Sequence, residues 1–279
     1  MKSTNKHWLL GCVNCGFLRA NLQPTIDISM ISHPINEQQR AIALGKLRIN
    51  NFERILDYLE KFIIPKNKRL LDVGCAHGWF LELAAQRGFT VFGLEPDRDM
   101  VTLAKSKSDC IWHGFFPEHI PPGKRFDVII FNDVFEHIPD VKAAMNACYS
   151  LLEPNGILII NLPCSQGFFY KLATFLDKMG ISKPLERLWQ KEFPSPHLSY
   201  FAPHQLRQLA QKYHFKEIHC SSLPSLEIQG LWERLLYDQT SSKFLSAIIW
   251  LVLVIFIPFL SFFPSDIKLQ IFQLNSVNH

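Results

Sequence analysis

The chain has 279 residues, enough for one large domain or two small ones and for a sizeable hydrophobic core. Its 29 Lys and Arg residues against 25 Asp and Glu give a formal net charge of +4, too weak for a dedicated nucleic-acid-binding protein. Hydrophobic residues make up 48% of the chain and charged residues only 19%, which excludes disorder and predicts that some apolar surface faces something other than water.

The seven cysteines are odd in number and dispersed along the chain, so a complete set of disulfides is not expected. This usage favours a reducing compartment. The apolar patch at residues 8–10 is shorter than the ~7–15-residue core of a signal peptide. We therefore expect a cytoplasmic protein.

Residues 1–34 have an irregular pattern in which Cys12 and Cys15 are the distinctive feature. Their spacing is that of half a zinc ribbon, whereas structural zinc normally takes four ligands from two such pairs. The sequence contains no second pair of this kind, although His7 and His33 could in principle serve as the other zinc ligands. We therefore assign no metal site and predict a segment that is ordered against the main domain.

From residue 35 to residue 221, segments with helical periodicity alternate with strand-like segments, a pattern typical of a parallel sheet with crossover helices. A first helix is predicted where Ile49, Ile55 and Leu59 recur at helical spacing, and it ends before Pro65. A turn at residues 154–156 is predicted to lead into the fifth strand. Seven strands are predicted, at residues 69–73, 90–94, 110–113, 126–132, 157–162, 215–221 and 267–273.

The most informative stretch is residues 70–81, where a strand runs into a glycine-containing loop and then a helix. Gly74 and Gly78 have no Cβ, so the backbone N–H groups of the loop and the helix N-terminus can lie close to a ligand. Glu95 follows Gly74 by 21 residues, at the end of the next strand, where an acid can accept both hydroxyls of a ribose. The pattern predicts a nucleoside site at the carboxyl edge of the sheet.

The small residues of this loop distinguish between classes of nucleotide. A dinucleotide site needs glycines in the order G-x-G-x-x-G, but Ala76 stands at the second of these positions and Trp79 at the third. NAD and FAD therefore fit poorly, which disfavours an oxidoreductase. The Gly-Lys-Ser/Thr ending of a Walker loop is also missing from the sequence.

The chain resembles the class I S-adenosylmethionine-dependent methyltransferases, particularly their small-molecule and lipid-modifying branch. The family's D-x-G-x-G-x-G loop is similar to residues 72–78, its second-strand acid to Glu95, and its fourth-strand segment to residues 126–138. Residues 151–158 and 197–201 are similar to the turn into the fifth strand and to the motif before the sixth. The resemblance covers about residues 35–221 and the final strand. It implies an α/β fold, a doubly wound, mainly parallel seven-stranded sheet of the Rossmann-like type with an antiparallel last strand.

The resemblance implies S-adenosyl-L-methionine as the cofactor. Two positions depart from the family pattern: Ala76 replaces the middle glycine, and Phe115 stands where an acid often meets the adenine amine, so adenine is expected to rest on apolar contacts and backbone groups. The residues predicted to bind the cofactor are Asp72, Gly74, Cys75, Ala76, Gly78, Glu95, Pro96, Phe115, Asn132, Asp133 and Val134.

The sulfonium of this cofactor is already a strong methyl donor, so alignment and exclusion of water are the main tasks that the resemblance implies for the protein. A hydroxyl acceptor gains from a general base, and neutral histidine suits that role near pH 7. The candidates are His137, just after the fourth strand, and His197, in the segment expected to cover the acceptor. For each of them a purely structural role is the alternative.

Residues 244–263 contain no charged side chain. A helix of 20 residues is about 30 Å long, enough to cross the hydrocarbon core of a bilayer. A strand at 267–273 that returns to the sheet argues against a single span, and Pro258 divides the run, so an in-plane membrane contact is preferred. A true span with the last strand outside the sheet, and a dimer contact or acceptor cover, are the alternatives.

We therefore predict four parts: an N-terminal segment at 1–34, a remnant of the zinc module that some family members carry; a methyltransferase core at 35–221; apolar helices at 222–266; and a final strand and tail at 267–279. The expected activity is methylation, most simply O-methylation, of a small-molecule or lipid-linked acceptor at the inner face of a membrane, with no nucleic-acid partner. The alternative is a non-catalytic membrane-associated binding protein with the same fold.

Overall fold

The computed structural model describes residues 1–3, 6–24, 37–228, 230–232, 235 and 243–275. His33, and residues 229, 233, 234 and 236–242 of the predicted apolar region, lie outside the described residues. The described residues form eleven strands: β1 (Lys2–Ser3), β2 (Leu9–Gly11), β3 (Leu18–Ala20), β4 (Arg69–Val73), β5 (Thr90–Glu95), β6 (Ile111–His113), β7 (Phe126–Asn132), β8 (Leu152–Pro163), β9 (Ser199–Tyr200), β10 (Phe215–Leu223) and β11 (Ile267–Leu274). They also form the helices α1 (Glu37–Leu59), α2 (Trp79–Gln86), α3 (Arg98–Ala104), α4 (Val141–Leu151), α5 (Phe168–Lys178), α6 (Lys183–Leu188), α7 (Pro203–Gln211) and α8 (Lys243–Phe256), with 3-10 helices at Phe135–His137 and Ile257–Phe262.

Seven strands form the main sheet in the order β10-β11-β8-β7-β4-β5-β6. The pairs β4–β5, β5–β6, β4–β7 and β7–β8 are parallel, whereas β11 is antiparallel to both β8 and β10. The predicted fold class is therefore confirmed. Because β11 lies inside the sheet, the alternative in which the last strand leaves it is wrong.

The sheet lies between two apolar layers, which is why its strands are near-continuous apolar runs in the sequence. Neighbouring residues of β4 show this: Leu71 packs into the cluster that contains Met145 of α4, and Leu70 into the one that contains Ile55 of α1. Alternate residues of a strand point to opposite faces, so both faces of β4 are buried. Its carboxyl end is thereby held rigidly where the glycine loop begins.

The start of β8 differs from the prediction. The strand begins at Leu152 rather than Ile157, because Phe126 pairs with Leu152 while Val128 already pairs with Ile157. The predicted turn lies within this irregularity, and Asn155 has the left-handed φ of 61° that a turn requires.

The N-terminal strands form a second sheet in the order β1-β2-β3-β9, so they pair with the chain segment that follows His197. Trp8 is buried with its ring centroid 5.7 Å from that of Trp189, and Lys6 forms a 2.8 Å ion pair with Asp177 of α5. Residues 6–20 thus pack against residues 164–201, the segment predicted to cover the acceptor.

The apolar helix α8 and the 3-10 helix after it connect β10 to β11, beside α5. The ring of Phe168 lies 5.9 Å from Phe256 and 4.6 Å from Phe263, centroid to centroid. Asp266 accepts a hydrogen bond from the backbone N–H of Tyr170 at 3.1 Å, which ties the first turn of α5 to the residue before β11. In the part of the chain that the structure describes, no helix has both the length and the apolar character needed to cross a membrane.

Candidate cofactor and acceptor site

The loop between β4 and α2 adopts the conformation that its glycines permit. Gly74 has a φ of +73°, and a Cβ there would lie 2.6 Å from a methyl carbon of Val134. Gly78 has a φ of +74°, and its Cβ would lie 3.2 Å from the Cα of Ala104 in α3. Both positions combine left-handed backbone with close packing, so larger residues would displace the loop. Ala76, the departure from the family pattern, takes a φ of 44° without disrupting the turn.

Glu95 points toward this loop. One carboxylate oxygen accepts the backbone N–H of Ala76 at 2.8 Å, and the other accepts the N–H of Asp97 at 2.9 Å. Asp97 in turn caps α3, accepting the N–H groups of Asp99 and Met100. The side chain of Glu95 is buried. The acid is therefore fixed at the edge of the sheet with lone pairs left to accept two hydroxyl groups.

A chain of side-chain amides joins the ends of β4, β7 and β8. Asn132 donates to Asp72 at 3.2 Å, Asn161 donates to Asn132 at 3.1 Å, and Asn161 accepts the backbone N–H of Asp133 at 2.9 Å. Asp133 has a φ of 53°. Asn161 was not predicted as a site residue, because within an apolar β8 it gives no motif, yet it holds the turn that carries Asp133.

The carboxyls of the site are poorly solvated. Burial, with a smaller contribution from the charge of Glu95, raises the pKa of Asp72 to about 8. Burial also raises the pKa of Glu95 and of Asp133, and Arg48 of α1 opposes the rise at Asp133. Because a nearby positive charge stabilises the ionised form of a buried carboxyl, a site with these raised pKa values favours a cationic ligand.

We expect S-adenosylmethionine binding to release a proton at pH 7. A positive charge near Asp72 favours the carboxylate and lowers its pKa below the value of about 8 in the free protein. Affinity should therefore rise with pH up to about 8, by at most ~10-fold per pH unit for one proton. Calorimetry in two buffers with different heats of ionisation measures the proton directly. The Asp72→Asn variant should bind without proton release, and release that persists in this variant would contradict the assignment to Asp72.

A continuous cavity of about 1540 Å³ runs from the glycine loop to the segment around His197. Trp79 stacks on His77 with ring centroids 4.6 Å apart, and Phe115 is 50% exposed, so both rings form walls and leave the space open. All of the predicted cofactor-binding residues line the cavity except Gly78, which lies at the start of α2. Cys75 is among them, with a buried thiol whose pKa is raised by burial.

His137 lies on the wall of the same cavity, in the 3-10 helix after β7. Its Nδ1 is 2.9 Å from the carbonyl oxygen of Pro196 and 3.2 Å from the hydroxyl of Ser195. A carbonyl can only accept, so Nδ1 carries the proton and neutral His137 has its lone pair on Nε2. This is the tautomer that a proton acceptor needs.

His197 is held differently. Its Nε2 lies 2.9 Å from the amide nitrogen of Gln190, so in the neutral ring Nε2 accepts the Gln190 N–H. Burial is the main cause that lowers the pKa of His197 to about 3, and the nearby charge of His137 is the second. Its lone pair is thus already used, which favours a structural role for His197. Gln190 was missed in the sequence because it belongs to no motif.

Glu136, His137 and His197 converge on one point, with one potential ligand atom from each within 4.8 Å of the others. Glu136 is 1% exposed, and burial raises the pKa of its carboxyl well above the usual value. A divalent transition-metal ion can be bound by one carboxylate and two imidazoles. This group could not be predicted as a unit, because 59 residues lie between His137 and His197 in the sequence.

Comparison with known proteins agrees with this geometry. Residues 47–220 match the family model for a methyltransferase domain. A 97-residue segment is 32% identical to a ubiquinone biosynthesis O-methyltransferase from Rhodopseudomonas palustris (strain TIE-1), covering 33% of this chain and 38% of that protein. The chain thus matches well under half the length of this curated relative.

Two solved structures share the fold. A SAM-dependent methyltransferase from Thermotoga maritima, described as a possible histamine N-methyltransferase, superposes with a TM-score of 0.55 at 14% identity, over 86% of this chain and 96% of that one. Magnesium protoporphyrin IX methyltransferase from Synechocystis PCC 6803, with bound SAH, gives a TM-score of 0.53 at 15% identity, over 87% and 90% of the two chains.

The methyltransferase family model thus matches more than half of the chain. The structure adds a loop in which Gly74 and Gly78 have left-handed backbone conformations, and Glu95, which faces this loop. The buried carboxyl of Asp72 suits a cationic ligand. The resemblance found in the sequence is confirmed, as are the enzyme class and the cofactor. The protein belongs to the class I S-adenosylmethionine-dependent methyltransferases.

Proposed function

We propose that the protein transfers a methyl group from S-adenosylmethionine to a hydroxyl group of a small, lipid-like acceptor. The observation that carries this proposal is the position of His137, which lies on the wall shared with the cofactor loop and is oriented by the bond between its Nδ1 and the Pro196 carbonyl. The name of the Rhodopseudomonas relatives, ubiquinone biosynthesis O-methyltransferase, supports a small-molecule acceptor and transfer to oxygen.

The cofactor is expected to lie across the carboxyl ends of β4, β5 and β7. Glu95 would accept the ribose hydroxyls, the N–H groups of the 74–78 loop would face the methionine part, and Phe115 would provide an apolar wall for adenine. Arg48 lines the same cavity, and its guanidinium suits the cofactor's carboxylate. When bound, the cofactor supplies an activated methyl group.

The role of His137 is to take the proton from the acceptor hydroxyl at Nε2. Its Nδ1–H stays bonded to the Pro196 carbonyl, and Ser195 adds a hydroxyl that can rotate to accept or donate as the ring changes charge. Burial lowers the pKa of neighbouring His197, which therefore stays neutral and does not add a positive charge beside the base. The arrangement supports proton removal near neutral pH.

The walls beyond His137 are aromatic and apolar. Phe169, Tyr170, Phe193 and Tyr200 line the cavity there, and Leu253 of α8 reaches it from the C-terminal insertion. An acceptor with a hydrocarbon portion would bury apolar surface along these side chains. The cavity and the apolar insertion therefore form one apolar region, which supports a lipid-like acceptor.

The outer face of the insertion supports a membrane contact at the cytoplasmic side. Its exposed side chains recur at the spacing of one helical stripe, which includes Ile248, Leu251, Val252 and Ile255 and continues at Phe259 and Phe262. Leu172 and Phe175 of α5, and Met179 directly after it, are also exposed at helical spacing. Exposed apolar stripes on these helices suit a surface that lies in the plane of a lipid layer.

The membrane contact predicts that the protein sediments with vesicles of phosphatidylcholine and phosphatidylglycerol. The double substitution Leu251→Glu/Ile255→Glu changes exposed positions only and should reduce the bound fraction at least ~10-fold, because each buried apolar side chain contributes roughly 1.5–3 kcal/mol. Ile64→Glu, at an apolar position that is 80% exposed elsewhere, is the matched control. Equal sedimentation of all three proteins would contradict the contact.

The acceptor class is tested by mass spectrometry of lipid and small-metabolite extracts from cells with and without the protein. The expected result is a pair of compounds that differ by one methylene, about 14 Da, with the heavier one lost when His137 is replaced by alanine. Calorimetry with S-adenosylmethionine runs in parallel. Cofactor binding without any such pair among small molecules and lipids would contradict the proposed acceptor and leave the cofactor site intact.

A further inference from the structure

We propose that Cys12 and Cys15 form a reversible dithiol–disulfide site that reacts with small-molecule disulfides, and that its oxidation state is transmitted to the acceptor wall of the cavity. Both residues lie in the turn between β2 and β3, and both are free cysteines. The proposal concerns a separate site and does not depend on which acceptor is methylated.

The turn holds the two cysteines together. Cys12 and Cys15 both belong to this turn, in which two backbone hydrogen bonds involve Cys12. The Cys12 N–H donates to the Phe17 carbonyl at 2.8 Å, and the Gly16 N–H donates to the Cys12 carbonyl at 2.9 Å. Gly16 has a φ of +71°, the left-handed conformation that closes the turn. The closed turn therefore keeps the two cysteines, three positions apart, on one short loop.

The two thiols have different roles in the proposed reaction: Cys12 attacks first and Cys15 second. The N–H groups of Cys15 and Asn14 lower the pKa of the Cys12 thiol, and the thiolate is the form that attacks a disulfide. Cys15 is exposed and can act second. Cys12 sulfur attacks a disulfide RSSR and releases one RS⁻; Cys15 then loses its proton, attacks the Cys12 sulfur and releases the second. The dithiol is oxidised to one disulfide, and RSSR is reduced to two RSH.

The donor set favours this redox chemistry over a closed metal site. Among the residues that the structure describes, Glu136, His137 and His197 are the one group of three or more potential ligands that converge, and neither cysteine belongs to it. Two thiols alone do not complete the four-ligand set of structural zinc.

The turn is connected to the acceptor wall by hydrogen bonds. Gln205 donates to the Cys15 carbonyl at 2.6 Å and accepts the N–H of Ala202, which follows β9, at 2.8 Å. β3 pairs with β9, and the Leu198 N–H donates to the Glu136 carbonyl at 2.8 Å. A shift of the Cys15 carbonyl on oxidation therefore has a continuous route to Glu136 and to the residue after His197.

The test treats the full-length protein with glutathione disulfide and measures its intact mass and its hydrogen exchange. We expect a loss of ~2 Da that maps to the Cys12–Cys15 peptide, and altered exchange at residues 197–205 that dithiothreitol reverses. Cys15→Ser should instead keep a glutathione adduct on Cys12, because no second thiol displaces it. Cys110→Ser and Cys220→Ser, at exposed single thiols, are the matched controls and should still form the disulfide.

Three results would overturn the proposal. Absence of the ~2 Da loss in the wild-type protein would exclude the disulfide. Purification with tightly bound zinc, whose removal by a chelator is needed before either thiol reacts, would assign the pair to metal binding. Disulfide formation with unchanged exchange at residues 197–205 would refute the transmission to the acceptor wall.

Discussion

Replacing Glu95 by glutamine is expected to weaken S-adenosylmethionine binding by about 100-fold, equivalent to roughly 2.7 kcal/mol. The wild-type carboxylate accepts the N–H groups of Ala76 and Asp97 and is expected to accept the ribose hydroxyls as well. The glutamine places an NH2 group against one of those backbone donors, and it removes the charge that strengthens bonds to hydroxyl groups. Isothermal titration with the cofactor measures the loss.

Glu82→Gln is the matched control for this prediction. Glu82 lies on α2, is paired with Lys107 at 2.9 Å and does not line the cavity. A surface ion pair contributes little, so this variant should bind the cofactor with wild-type affinity. If Glu95→Gln also binds within about 3-fold of wild type, which is a difference below 1 kcal/mol, Glu95 does not hold the ribose.

Replacing His137 by alanine is expected to leave cofactor affinity unchanged and to lower turnover at least ~100-fold, the low end for loss of a general base. The ring bonds to Pro196 and Ser195, on the segment expected to cover the acceptor, so its removal should spare the cofactor site. Initial rates with the identified acceptor, under saturating cofactor, measure the effect. The rate with a more acidic acceptor hydroxyl should fall less, because such a hydroxyl needs less help to lose its proton.

His204→Ala provides the comparison for His137. His204 is an exposed residue of α7 that does not line the cavity, so its removal should change neither turnover nor affinity. Equal turnover of His137→Ala and wild type would refute the base assignment. A fall in cofactor affinity together with turnover would instead indicate that His137 supports the cofactor loop.

The parts of the molecule that are local in sequence were predictable. β7 is an apolar run because both of its faces are buried, and Glu95 stands at the spacing that one strand-loop-helix-strand unit imposes. The contact between the rings of His137 and His197, whose centroids are 4.7 Å apart, was not predictable, because 59 residues lie between them in the sequence. Arg48, Asn161 and Gln190 were missed for the same reason: each acts through tertiary contacts and belongs to no motif. The start of β8 at Leu152 was not predicted, because the turn residues at 154–156 interrupt the apolar pattern of the strand.

The place of β11 in the sheet has a consequence for synthesis of the chain. This strand follows all the other described strands in chain order, yet it lies between β8 and β10 and contributes the fully buried Leu269, Ile271 and Phe272. Until residues 267–274 leave the ribosome, β8 and β10 have no partner between them and expose their edges. The nascent protein therefore cannot complete this part of its core before residues 267–274 emerge, and until then its exposed strand edges favour aggregation and chaperone binding.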